Sequence, residues 1–122
     1  MSARHPLVSV VDDDESMRES LPDLINELGY RVKVFSSAQE FLASDSVGNT
    51  GCLLLDVGMP GMTGPQLAQE LVRLGRFIPI VFITAKKDNT VRPSLMRLGA
   101  VECLFKPFSD TELRDALNLA LR

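Results

Sequence analysis

Three consecutive carboxylates, Asp12, Asp13 and Asp14, follow the apolar run Leu7 to Val11. A further carboxylate, Asp56, closes the run that starts at Cys52; a hydroxyl, Thr84, closes the run from Ile80; an ammonium, Lys106, follows Val101 to Phe105 and precedes Pro107. Gathered on one rim, these groups are the parts of a phosphoryl site. Mg²⁺ takes octahedral oxygen ligands and keeps several waters, so one or two carboxylates hold it together with phosphate oxygens, a role open to Asp13 and Asp56. Phosphoryl transfer needs an in-line nucleophile and neutralisation of charge on the equatorial oxygens. A carboxylate can be that nucleophile, giving an acyl phosphate. Crowded carboxylates raise one another's pKa, a repulsion that Lys106 and a divalent ion would relieve. Taken singly, each group has a plainer reading. Asp14 reads as a helix N-cap, Asp56 as a turn residue, Thr84 as a strand-end hydroxyl, and Lys106-Pro107 as a loop with a solvated lysine. Met59, Pro60, Met62 and Gly64 read as a loop with hydrophobic anchors. The weight lies in the conjunction, because four separate apolar runs each end in a component of the same chemistry.

Convergence requires those runs to be neighbouring parallel strands. Short apolar runs alternate with amphipathic segments along the whole chain, the pattern of repeated βα units. Strands are predicted at Leu7 to Val11, Arg31 to Phe35, Cys52 to Asp56, Ile80 to Thr84 and Val101 to Phe105. The first, third and fourth are nearly continuous in apolar residues, as strands buried on both faces are; the second and fifth alternate more, as edges do. Ser37 with Glu40 and Ser109 with Glu112 have capping-box spacing and mark the starts of the second and fifth helices. Gly29, Gly75 and Gly99 each follow a helical pattern at a position favouring a left-handed cap, ending the third and fourth helices near Leu74 and Leu98. The first helix, about Ser16 to Leu28, contains Pro22, and a bend is expected there. In an open parallel sheet, ligands bind outside the carboxyl ends of the strands, where strand order reverses.

The chain has 122 residues, 45% hydrophobic and 24% charged, which fits one domain over residues 1–122 and excludes disordered, collagen-like and coiled-coil classes. No apolar run approaches the roughly 20 residues of a membrane span, and no secretory leader is discernible. A net charge of -3 argues against binding nucleic acid directly. Cys52 and Cys103 have neither CxxC spacing nor a nearby His, so reduced thiols and a cytoplasmic location are expected.

Four segments together resemble the receiver domain of two-component response regulators, over essentially the whole chain. They are Val10-Val11-Asp12-Asp13-Asp14-Glu15, Leu54 to Gly64, Phe82-Ile83-Thr84-Ala85 and Leu104-Phe105-Lys106-Pro107-Phe108. Gly58 and the run Ser36 to Leu42 are similar to the subgroup usually fused to a helix-turn-helix output domain. The resemblance implies a flavodoxin-like, CheY-like (βα)5 sandwich with strand order 2-1-3-4-5. It implies that Asp56 takes a phosphoryl group from a histidine kinase phosphohistidine. Asp12, Asp13, Asp56 and the carbonyl of Gly58 would hold Mg²⁺, Thr84 and Lys106 would contact the phosphoryl oxygens with Ala85 beside them, and Lys106-Pro107 would be cis. Gly58 and Lys86 would flank the path of a water attacking the acyl phosphate. The product would be a signalling switch that assists its own phosphotransfer and dephosphorylation rather than an enzyme, with an output domain or downstream protein and a phosphorylation-dependent homodimer as further partners. Cys103 stands at the family's aromatic switch position, three residues before the lysine. Two rivals stay open: a degenerate receiver acting as an unphosphorylated interaction module, and a small α/β phosphohydrolase.

Overall fold

The computed structural model describes residues 6–85 and 91–122. Five parallel strands, β1 (Leu7–Val11), β2 (Arg31–Phe35), β3 (Thr50–Asp56), β4 (Ile80–Thr84) and β5 (Glu102–Phe105), form one sheet in the order β2-β1-β3-β4-β5. Strand order therefore reverses between β1 and β3. Among the described residues the helices are α1 (Glu15–Glu27), α2 (Ala38–Leu42), α3 (Gly64–Arg73), α4 (Val91–Arg97) and α5 (Asp110–Ala120), with a 3-10 turn at Asp45–Gly48. The residue pattern called for a parallel α/β sheet, and the strand order is the flavodoxin-like one that the resemblance implies.

Side chains alternate across the pleat and divide the core into two layers. Val8, Val10, Cys52, Leu54, Val81, Ile83 and Leu104 pack with Leu21 and Ile25 of α1 and with Leu113, Ala116 and Leu117 of α5. Val11, Leu53, Leu55, Phe82 and Cys103 face the opposite way, against Phe41 of α2, Leu67 and Leu71 of α3, and Leu95 of α4. Because the three inner strands are apolar on both faces, each layer has its own helices to bury against, and the polar groups are left to the strand ends.

Helix ends follow local chemistry. Ser109 and Glu112 form the expected capping box on α5. The pair at α2 differs: the Ser37 hydroxyl caps Glu40 N–H at 3.0 Å, but the Glu40 carboxylate reaches past Ser37 and accepts from Ser36 N–H at 2.8 Å. The reciprocal bond is displaced by one residue, since Ser36 also offers an N–H at the strand exit. A capping box not anticipated from the sequence, Thr63 with Gln66 and with Pro65 in the first turn, starts α3. Gly29, Gly75 and Gly99 have φ of 97°, 74° and 91°, the left-handed caps expected of them. Helix α1 runs on through Pro22. Strand β3 begins at Thr50, two residues before the predicted start. There the Thr50 hydroxyl is anchored by a 2.7 Å bond with buried Ser9 and donates to Ser46 carbonyl at 2.6 Å.

Candidate functional site

Register sets the height of each polar group. Val11 pairs with Leu55, so Asp12 and Asp56, each next along its strand, leave the sheet at one level on the two strands flanking the reversal. Leu55 pairs with Phe82 and Thr84 with Phe105, which places Thr84 and then Lys106 at the same carboxyl edge. The Lys106 N–H donates to Thr84 carbonyl at 2.8 Å, continuing the ladder one residue beyond β5, and the Lys106-Pro107 peptide is cis. Asp12, Asp56 and Thr84 are buried, whereas Asp13 is exposed.

The carboxylates of Asp12, Asp13 and Asp56 each bring an oxygen within 4.8 Å of the other two. Asp12 Oδ1 accepts from Asp14 N–H at 2.9 Å, and Oδ2 faces Lys106 Nζ at 3.1 Å. That buried Oδ2 receives no hydrogen bond, so the ammonium is its electrostatic counterpart without satisfying it as an acceptor. Asp14 turns away to cap α1, accepting from the Ser16 N–H and hydroxyl at 3.0 and 2.8 Å. Those two bonds hold its carboxyl below the ordinary range, with Lys106 adding a smaller pull. Asp56 behaves oppositely. Burial first, then the Asp13 and Asp12 carboxylates, push it up to about 7, against the opposing influence of Lys106 and the Gly58 N–H. Three hard oxygen donors, an under-satisfied buried carboxylate oxygen and an Asp56 carboxylate raised by burial and by neighbouring negative charge suit a Mg²⁺ ion, which would meet all three needs.

The loop after Asp56 is anchored at both ends. Gly58 N–H donates to Asp56 Oδ1 at 3.3 Å, Met59 is buried in the core, and Gly64 N–H donates to Val57 carbonyl at 3.2 Å. At Gly64 a Cβ would lie 2.3 Å from the Asp56 carbonyl oxygen, so the start of α3 can lie against the Asp56 backbone only with glycine there. Gly58 is open, with no atom within 4 Å of the place a Cβ would take. Ala85 is exposed directly after Thr84. Lys86 lies outside the described residues. Cys103 is buried with Phe82 and Leu95, and burial raises its thiol pKa.

Thus Asp12, Asp13, Asp56 and Lys106 come together as expected, Thr84 lies on the same edge, and Asp14 takes its capping role. Sequence reasoning missed two contributions. Arg18 Nη1 donates to the Asp12 carbonyl at 2.9 Å, a reach of six residues that apolar periodicity does not reveal. The demand for glycine at 64 was missed too, although a helix starting Thr63-Gly64-Pro65 with Gln66 in capping-box spacing was there to suggest an N-terminus.

The fold and site define an open, doubly wound parallel α/β domain with an acidic cluster and a lysine where strand order reverses. Residues 8–118 match the response regulator receiver domain, and the chain belongs to that family. It is 47% identical over 114 residues to nodulation protein W of Bradyrhizobium diazoefficiens, covering 93% of this chain and 50% of that protein. It is 38% identical over 122 residues to the response regulator protein TmoT of Ectopseudomonas mendocina, covering 100% of this chain and 56% of the relative. The chain thus spans about half the length of these curated relatives. Among solved structures, the response regulator StyR superposes with a TM-score of 0.88 at 43% identity, covering 97% of this chain and 60% of that one. The crystal structure of FixJ-N gives 0.86 at 35% identity, covering 97% and 94%. Receiver domains of two-component response regulators work in phosphotransfer from a histidine kinase, and they generally bind Mg²⁺. Among the described residues no helix is long and apolar enough to cross a membrane.

Proposed function

We propose that this domain is a phospho-accepting switch in which Asp56 takes the phosphoryl group of a kinase phosphohistidine. The observation that carries the reading is the meeting of the Asp12, Asp13 and Asp56 carboxylates with Lys106 where strand order reverses. An Asp56 carboxylate oxygen forms a bond to phosphorus while the phosphorus–nitrogen bond breaks. The electron pair leaves with the imidazole nitrogen, which takes up a proton. Asp12, Asp13, Asp56 and the Gly58 carbonyl would hold Mg²⁺, which supplies neutralising charge for the phosphoryl oxygens. Lys106 adds a second positive charge to the same oxygens, and the Thr84 hydroxyl and the backbone beside Ala85 contact them. The Asp12 carboxylate, 3.1 Å from Lys106 Nζ, keeps that ammonium drawn into the site before a phosphoryl group arrives.

The acyl phosphate then biases the domain between two packings through contacts that only one packing makes. On this reading the domain is a switch that assists its own phosphotransfer and hydrolysis, not a turnover enzyme. An output domain, a downstream protein or a phosphorylation-dependent second copy reads its state. Incubation of the metal-loaded protein with a small phosphodonor such as acetyl phosphate tests this directly by intact mass. One phosphoryl adduct is expected on the wild type and none on Asp56→Asn; equal labelling of the two proteins overturns the assignment. Steady turnover of a phosphate ester would instead favour a hydrolase.

A further inference from the structure

We propose that Arg18 is a positioning residue for the acid turn: its bond to the Asp12 carbonyl sets the orientation in which Asp12 and Asp13 present their carboxylates to a divalent cation. The inference rests on the reading of Asp12, Asp13 and Asp56 as a Mg²⁺ site. Asp12 N–H makes the last β1 bond to β2, donating to Phe35 carbonyl at 3.1 Å, and α1 begins only at Glu15. Between them the turn is held by Asp14 N–H on Asp12 Oδ1, by Ser16 on Asp14 Oδ1, and by Arg18 Nη1 on the Asp12 carbonyl at 2.9 Å. The first two are local, two residues apart, and define the shape of the turn alone. Only the third ties a side chain of α1 to the end of the strand.

That carbonyl belongs to the planar peptide joining Asp12 to Asp13. Holding its oxygen fixes the plane, and with it the direction from which the Asp13 side chain departs. Asp12 is wholly buried, so its carbonyl has no water in reach and needs a protein donor. A guanidinium, half-buried and with a preorganised planar fork, meets that need from α1. By charge alone a guanidinium here would repel a metal cation. Positioning and simple charge therefore predict opposite signs when Arg18 is removed.

The experiment is a Mg²⁺ titration of the unphosphorylated full chain, followed by amide shifts in ¹H–¹⁵N spectra, with thermal unfolding in chelator measured alongside. Arg18→Ala is expected to weaken Mg²⁺ about ten-fold, the scale of losing a residue that orients metal ligands. Arg18→Lys, which keeps a donor, should fall between it and the wild type. Arg73→Ala removes an exposed arginine paired with Glu70 and should leave the affinity alone. Unchanged or tighter Mg²⁺ binding in Arg18→Ala, even with a lowered Tm, overturns the proposal and reduces Arg18 to a structural residue. If Arg18→Ala does not fold, wild-type affinity in Arg18→Lys overturns it and weakened affinity supports it. Failure of the wild type itself to bind Mg²⁺ overturns the metal reading, and this inference with it. Normal wild-type binding with an indifferent Arg18→Ala overturns the inference alone.

Discussion

Asp56 is costly to keep charged, and that cost is measurable without any phosphate. Its folded-state pKa, about 7, lies above the unfolded 3.8, so between those values the folded chain holds a proton that the unfolded chain has lost. Stability in chelator should therefore fall as pH rises from about 4 to about 7, with the full penalty present above 7. Asp56→Asn removes the titration. It should stabilise the metal-free protein at pH 8 by on the order of 1–2 kcal/mol and leave stability near pH 4 almost unchanged. Thermal melts of both proteins across this range check it, and parallel pH profiles would refute it. Asp12 and Asp13, the two acids proposed to hold Mg²⁺ with Asp56, should also differ. Asp12 already commits one oxygen to Asp14 N–H and faces Lys106 with the other, whereas Asp13 is exposed beside Asp56. Asp13→Ala is accordingly expected to weaken Mg²⁺ more than Asp12→Ala in an NMR titration; the reverse order would mean that Asp12 is the principal ligand.

Between residue and fold, the loop from Asp56 to α3 links the Asp56 carboxylate to the packing beneath it. Met59 anchors its middle in the core, and the Thr63–Gln66 capping box fixes where the helix begins. Gly64 lets that helix start against the Asp56 backbone. A methyl placed 2.3 Å from the Asp56 carbonyl oxygen must displace one of the two, so Gly64→Ala should cost roughly 1–3 kcal/mol, the range for overpacking. On the proposed function it should also slow phosphorylation by acetyl phosphate, because the displaced backbone carries the Asp56 carboxylate. Gly58→Ala meets open space and should leave stability within about 0.5 kcal/mol. Urea unfolding of the two variants compares them, and equal losses would show that the close approach at Gly64 is unimportant. The capping serines and the strand ends were readable in the sequence because they depend on neighbours within four residues. The displaced Glu40 bond was not, since it depends on how the chain leaves β2.

At the scale of the molecule, the sheet separates two helix layers, and each layer contains one thiol. Cys52 faces α1 and α5, fully buried, and burial pushes its pKa up to about 12. Cys103 faces α2, α3 and α4, and it also lies beside Glu102, whose carboxylate accepts from Arg92 of α4 and from Cys103 N–H. A ring is absent at this position, but Phe105 lies on the same face and is half-buried in the same layer, while Phe108 packs in the other. Any rearrangement of α4 against β5 must therefore pass by Cys103 and Phe105. Phosphorylation is expected to change the alkylation rate of Cys103 while Cys52 stays protected in both states, read by peptide mass after timed labelling. Identical Cys103 rates with and without the phosphoryl group would argue against a switch through this position and favour an unphosphorylated interaction module.

The order of apolar runs, glycine caps and terminal polar residues was enough to define a parallel α/β sheet and to nominate Asp12, Asp13, Asp56, Thr84 and Lys106. Strand periodicity and capping are short-range effects, and each polar group sits at the end of its own run. Only the tertiary structure decided how these groups face one another. Lys106 meets Asp12 across 94 residues of chain, and Asp56 owes its raised pKa to burial and to carboxylates on another strand. It also decided that Arg18 braces the Asp12 carbonyl and that position 64 admits no side chain. These are contacts between segments, made where strand register and helix packing bring backbone against backbone, and no pattern of residue types along a single segment encodes that distance.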